Sequence, residues 1–191
     1  MATTLPRLLL LAAAISAAPA IASAQSAPSG DEILTGEAAE SGSDVAWGTA
    51  RGIVDAPIER VTAVVEDYAQ YNRFLPHFRT SRILAQRGSS AMVYFEVGVM
   101  RETHTLWAQM RIRPRPSRGD TRIYEATLVE GNVDAFSARW ELTPMANGQT
   151  LVEFRILVDP DLPLPASVFT NENVRAARKT VRALRRRMAE V

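Results

Sequence analysis

The stretch Asp134–Thr143, DAFSARWELT, followed by Thr150–Val158, TLVEFRILV, and then by Asp159-Pro160-Asp161-Leu162-Pro163, decides how this chain folds. Phe136, Ala138, Trp140 and Leu142 alternate with Ser137, Arg139 and Glu141. Val152, Phe154, Ile156 and Val158 alternate with Glu153, Arg155 and Leu157. A period of two means strands with one face buried and one face wet, and Asn147-Gly148 supplies the hairpin between them. After Pro163 the period changes. Val174, Ala177, Val181, Leu184 and Met188 step by three and four, so the chain from about Pro165 reads as one long amphipathic helix. Such a helix needs an apolar surface to lie along, and the buried side of a sheet is the one candidate of matching size. A helix closing over a curved antiparallel sheet encloses a greasy interior, and a greasy interior can hold a ligand.

Upstream, the same period of two runs from Thr80. Val93, Phe95, Val97 and Val99 form one set, Leu106, Ala108, Met110 and Ile112 a second, and Tyr124, Ala126 and Leu128 a third. Gly88-Ser89-Ser90 and Gly131-Asn132 suit hairpin turns, and Pro114 with Pro116 suggests a longer loop before Tyr124. Before Thr80 the reading is a strand over Val45–Asp55 and a short helix through Ile58, Val61, Val64 and Val65. Asp55 is placed as its cap and Pro57 in its first turn. A second short helix follows in the aromatic segment Tyr68–Phe78, stopped by Leu75-Pro76.

Three segments organise the chain. Residues 1–24 read as a signal peptide: Arg7, an apolar run from Leu8 to Ala18, and Ala22-Ser23-Ala24 as a cleavage site. Residues 25–44 read as a flexible linker, and residues 45–191 as one domain. The leader points to an exported, periplasmic or secreted protein. The 22 Lys+Arg and 21 Asp+Glu nearly cancel, and the loss of Arg7 with the leader balances them. Global charge therefore gives no argument for a nucleic-acid partner, and none is expected. The absence of cysteine excludes disulfides, thiolate catalysis and cysteine-ligated zinc.

The order of elements and particular residues resemble the START-like helix-grip superfamily, also called SRPBCC. It includes polyketide cyclase/dehydrase-like proteins and coenzyme Q-binding START domains. The residues are Val54-Asp55-Ala56-Pro57, Asp67-Tyr68 with Tyr71 and Phe74-Leu75-Pro76, Trp140-Glu141-Leu142-Thr143-Pro144 with Gly148, and Asp159-Pro160 with Leu162-Pro163. The resemblance implies an α+β helix-grip fold: a curved antiparallel sheet wrapped around a long C-terminal helix, with two short helices after the first strand. It also implies a cavity for a lipid or other hydrophobic molecule, and no single chemistry.

Strand parity nominates Phe95, Val97, Leu106, Phe136, Trp140, Phe154 and Ile156 as the cavity wall. Val168 and Phe169 fall at the start of the lid helix, and Phe74 with Leu75 at the mouth. His104 shares parity with Leu106 and is expected to face inward, against the polar end of the ligand. In the alternative reading, an enzyme of the cyclase, dehydrase or isomerase kind, His104 or an interior glutamate would transfer the proton. His77 and His104 lie far apart without a metal-binding pattern, so no metal is expected, and no motif calls for a cofactor. Glu125 and Glu153 alternate with apolar neighbours and belong to a solvated face. The basic residues of the last helix (Arg175, Arg178, Lys179, Arg182, Arg185, Arg186 and Arg187) suggest transient contact with an anionic membrane surface. The discriminating quantity is empty volume, since a ligand site needs roughly 300–1,000 Å³.

Overall fold

The computed structural model describes residues 28–99, 103–160 and 162–190. The leader and the first residues of the linker lie outside that set. The elements are β1 (Ile33–Ala38), β2 (Trp47–Val54), α1 (Ile58–Glu66), a 3₁₀ turn (Tyr68–Gln70), α2 (Tyr71–Phe74), β3 (Phe78–Arg87), β4 (Ser90–Val99), β5 (His104–Arg118), β6 (Thr121–Gly131), β7 (Ala135–Pro144), β8 (Thr150–Asp159) and α3 (Ala166–Glu190). All eight strands pair antiparallel in the order β1-β2-β8-β7-β6-β5-β4-β3. This is the helix-grip arrangement that the resemblance implies.

The β7–β8 hairpin brings the two alternating sets face to face. Trp140 stands opposite Phe154 and Leu142 opposite Val152, and all four are buried on the inner face. Gly148 turns the chain at φ +79°, a left-handed conformation that costs glycine little. Pro114 and Pro116 do not open a loop. Both lie within β5, whose outer end extends beyond the core and is solvent-exposed, so the missing N–H groups are tolerated there.

Two expectations near the N-terminus are corrected. β1 lies inside the segment expected to be a flexible linker, and order among the described residues precedes Val45. The strand is held from far along the chain. Among the described residues it pairs only with β2, and Arg185 of α3 donates to the carbonyls of Asp31 (2.6 Å), Glu32 (2.9 Å) and Ile53 (2.7 Å) around it. Local composition carries no trace of so distant a partner. The second correction concerns α1. Asp55 makes no capping bond but accepts from Gln149 Nε2 at 3.2 Å, and Pro57 is itself the extended N-cap residue, at φ −65° and ψ 151°. Its carbonyl receives the first helical N–H groups, from Arg60 and Val61.

α3 lies on the β1–β2–β8 side of the sheet, not over its whole width. The reason is written in β2. Gly48, Ala50 and Gly52 share one face at a period of two, and a Cβ on Gly48 would fall 2.0 Å from the backbone of Asn173. Only glycine there lets the helix backbone rest on the strand backbone. The approach is fixed by polar bonds: Asn173 Nδ2 donates to Ala46 O at 3.1 Å, its Oδ1 accepts from Val158 N at 3.1 Å, and Thr170 Oγ1 accepts from Ala46 N at 3.0 Å. Ala177, Val181, Leu184 and Met188 are buried below, against α1, β2, β7 and β8. Burying the larger of these side chains contributes about 1.5–3 kcal/mol each.

The other half of the sheet needs a different cover. The aromatic segment from Tyr68 to Phe78 supplies it, packing on β3, β4 and β5 to form a second core. The molecule therefore has two lids side by side, one long helix and one short aromatic cap.

Candidate functional site: an aromatic interior cavity

Where the two lids meet, the inner face of the sheet is not quite filled. A cavity of about 50 Å³ remains, lined by Tyr68, Tyr71, Leu75 and Phe78 of the cap region, by Phe95, Met110, Ile112, Tyr124, Ala126, Phe136, Ala138, Trp140, Phe154 and Ile156 of β4 to β8, and by Thr180 of α3. No His, Asp, Glu, Lys or Arg is among them. The expectation of a chamber of ligand size is not met in this conformation. Volume that the curvature of the sheet opens is taken up by aromatic rings.

Those rings form a connected set. Tyr71 is stacked on Phe95 with 5.9 Å between centroids and meets Tyr68, Phe74 and Phe78 edge-on at 5.8, 5.6 and 6.2 Å. Trp140 lies against Phe154 at 4.3 Å. Edge-on and offset pairs of this kind are worth about 0.5–1.5 kcal/mol beyond area burial. Two of the ring hydroxyls are engaged by backbone carbonyls. Tyr71 donates its hydroxyl to Val65 O at 2.6 Å. Tyr68 donates to Ser89 O at 3.2 Å. Burial pushes the hydroxyls of Tyr68 and Tyr71 well above the usual phenol range. Burial, reinforced by the Glu66 carboxylate, pushes Tyr124 up to about 12. All three are neutral donors at physiological pH and poor bases.

The nominated residues divide. Leu75, Phe95, Phe136, Trp140, Phe154 and Ile156 line the cavity. Phe74, Val97 and Leu106 belong to the same core but stand one layer away from the void. Phe169 is buried in a third cluster with Val45 and Leu157, and Val168 is 37% exposed on the outside of α3. Neither reaches the interior, because α3 begins beyond the edge of the cavity.

His104 is the clearest correction. It is exposed, pairs with Val99 at the last register position of β4–β5, and meets Thr103 Oγ1 at 3.0 Å. Parity assigns it the inner face, but the strand has by then run past its cover. It stands instead on an open surface groove of about 410 Å³ with Asn132, Asp134 and Leu162. His77 is likewise exposed, within 3.1 Å of Lys179 Nζ, and adopts φ +67°. Glu125 and Glu153 are on the outer face as expected. Glu125 pairs with Arg139 at 2.7 Å and Glu153 with Arg51 at 3.2 Å. Among the described residues no group of three or more His, Asp or Glu is placed to hold a metal ion.

Several lining residues were within reach of sequence reasoning but not named. Met110 and Ile112 continue the parity of Leu106, and Tyr124 with Ala126 that of β6. Tyr68, Tyr71 and Phe78 carried only a high aromatic density, and Thr180 sits in the helical stripe as an apparent interruption.

An eight-stranded antiparallel sheet gripping a C-terminal helix, with an apolar cavity between sheet and lids, defines a START-like helix-grip protein. The profile described as polyketide cyclase / dehydrase and lipid transport matches residues 54–185, and the chain belongs to that family. It is similar in structure to a STAR-related lipid transfer protein from Xanthomonas axonopodis, with TM-score 0.72, 15% identity, and coverage of 85% of this chain and 97% of that one. A START superfamily protein from Mycobacterium smegmatis gives TM-score 0.66 at 18% identity, over 75% of this chain and 97% of that one. Human StAR-related lipid transfer protein 5 gives TM-score 0.69 at 13% identity, over 84% of each chain. No curated protein matches the chain in sequence.

Proposed function

We propose that this protein is an exported binder of an uncharged hydrophobic molecule, held between the sheet, α3 and the aromatic cap. Export rests on the leader at residues 1–24, and hydrophobic-ligand binding on membership of a family that includes lipid transport. The observation that carries the choice of ligand is the lining: aromatic and aliphatic apart from Thr180, with the hydroxyls of Tyr68 and Tyr71 already bonded to backbone carbonyls and no charged side chain among the lining residues. An ionised head group placed there would lose its hydration without a counter-ion. A neutral head loses little.

Binding requires the cavity to open, since about 50 Å³ is below the roughly 300–1,000 Å³ of ordinary ligand sites. The cap is the wall suited to yield. It consists of a 3₁₀ turn and a four-residue helix, and it leads into the edge strand β3, whose pairing with β4 shifts register twice. α3, by contrast, is bonded through Asn173 to Ala46, just ahead of β2, and to β8. The enzymatic alternative named His104 or an interior glutamate; His104 lies outside, and among the described residues no carboxylate lines the cavity.

Thermal unfolding with paired ligands tests the proposal. A long-chain alcohol and the fatty acid of the same length share a tail and differ in charge. A ligand at 100 times its Kd stabilises by about 2.7 kcal/mol, so the alcohol is expected to raise Tm by several degrees and the acid at neutral pH by much less. Equal or greater stabilisation by the acid contradicts a cavity selective for uncharged molecules.

A further inference from the structure

The outward side of α3 is basic. From Val174 to Ala189 the helix has no acidic residue. Its basic side chains divide in the fold. Arg185 is engaged with backbone carbonyls, Arg175 pairs with Glu172 and Arg187 with Glu190. Arg178, Arg182 and Arg186 are exposed and make no hydrogen bond or ion pair with the described residues. Their spacing of four places them along one line of the helix, opposite the stripe of Ala177, Val181 and Leu184 that meets the sheet. Just before and within the first turn of the same helix, Leu164 and Val168 are 43% and 37% exposed.

We propose that this face docks on an anionic lipid surface, with the arginine line on the head groups and Leu164 and Val168 dipping between them. Three free guanidinium groups on a rod, each able to take phosphate oxygens, match a plane of anionic head groups. The apolar tip favours a lipid surface over a polynucleotide, which offers nothing apolar at that point. Docking in this orientation also has a consequence for the cavity. Lys179 of α3 touches His77, so the Leu75–Phe78 corner that walls the cavity lies beside the docked face. The proposal does not depend on which molecule the cavity holds.

Co-sedimentation with phosphatidylcholine vesicles, with and without phosphatidylserine, tests it. The wild type is expected to bind the anionic vesicles preferentially and to release as salt rises. Each basic side chain near such a surface is worth about fivefold in affinity, so R178Q/R182Q/R186Q is expected to bind on the order of 100-fold more weakly, with an unchanged melting temperature. L164S/V168S is expected to weaken binding without altering its salt dependence. Equal binding of the wild type to neutral and anionic vesicles overturns the proposal without recourse to any variant. Undiminished binding of the triple variant also overturns it, as does arginine-dependent binding of duplex DNA by protein that ignores the vesicles.

Discussion

Gly48 has no side chain, and the position of α3 depends on that. A methyl group there would enter the backbone of Asn173. Gly48→Ala is therefore expected to push the helix from β2 and destabilise the protein by about 3 kcal/mol, the upper end of ordinary overpacking, read from denaturant midpoints. Tyr124 makes a second prediction. Its folded pKa of about 12 exceeds the value of 10 expected in the unfolded chain. A raised folded pKa means that stability is intact below pH 10 and is lost as pH climbs from 10 towards 12, because only the unfolded state ionises. Tyr68 and Tyr71 act in the same direction. Tyr124→Phe is expected to flatten part of that alkaline loss in melts recorded across this range. At this scale the sequence was informative wherever parity sufficed. Trp140, Phe154 and Phe136 face inward because a strand alternates. His104 does not, because alternation says which side a residue faces but not whether anything covers that side.

Among the elements, α3 and the β7–β8 hairpin were legible because their apolar periods are long and regular. β1 was not, since among the described residues its only strand partner is β2, and its anchor, Arg185, lies 153 positions beyond Glu32. Arg185→Gln is expected to release β1 selectively, seen as faster amide exchange over residues 33–38 while β7 and β8 keep their protection. The glycine–alanine face of β2 was visible in the sequence. Its meaning required knowing that a helix crosses it. The cap tells a related story: its aromatic density announced burial, but nothing local showed that it would share with α3 the task of covering the sheet.

For the whole molecule, the arrangement reads as a closed container. The family and the fold supply an interior between sheet and lids, and the lining makes that interior neutral and aromatic. Its volume escaped sequence reasoning because it is a small difference between the space a curved sheet encloses and the side chains that enter it. Trp140→Arg would place a charge in that wall, where burial without a partner is costly. Native mass spectrometry of the purified protein, without added ligand, tests the central claim most directly. The account predicts a bound apolar molecule in the wild type, released by organic solvent and lost in Trp140→Arg. A bare wild-type chain, or a passenger retained equally by Trp140→Arg, would contradict it.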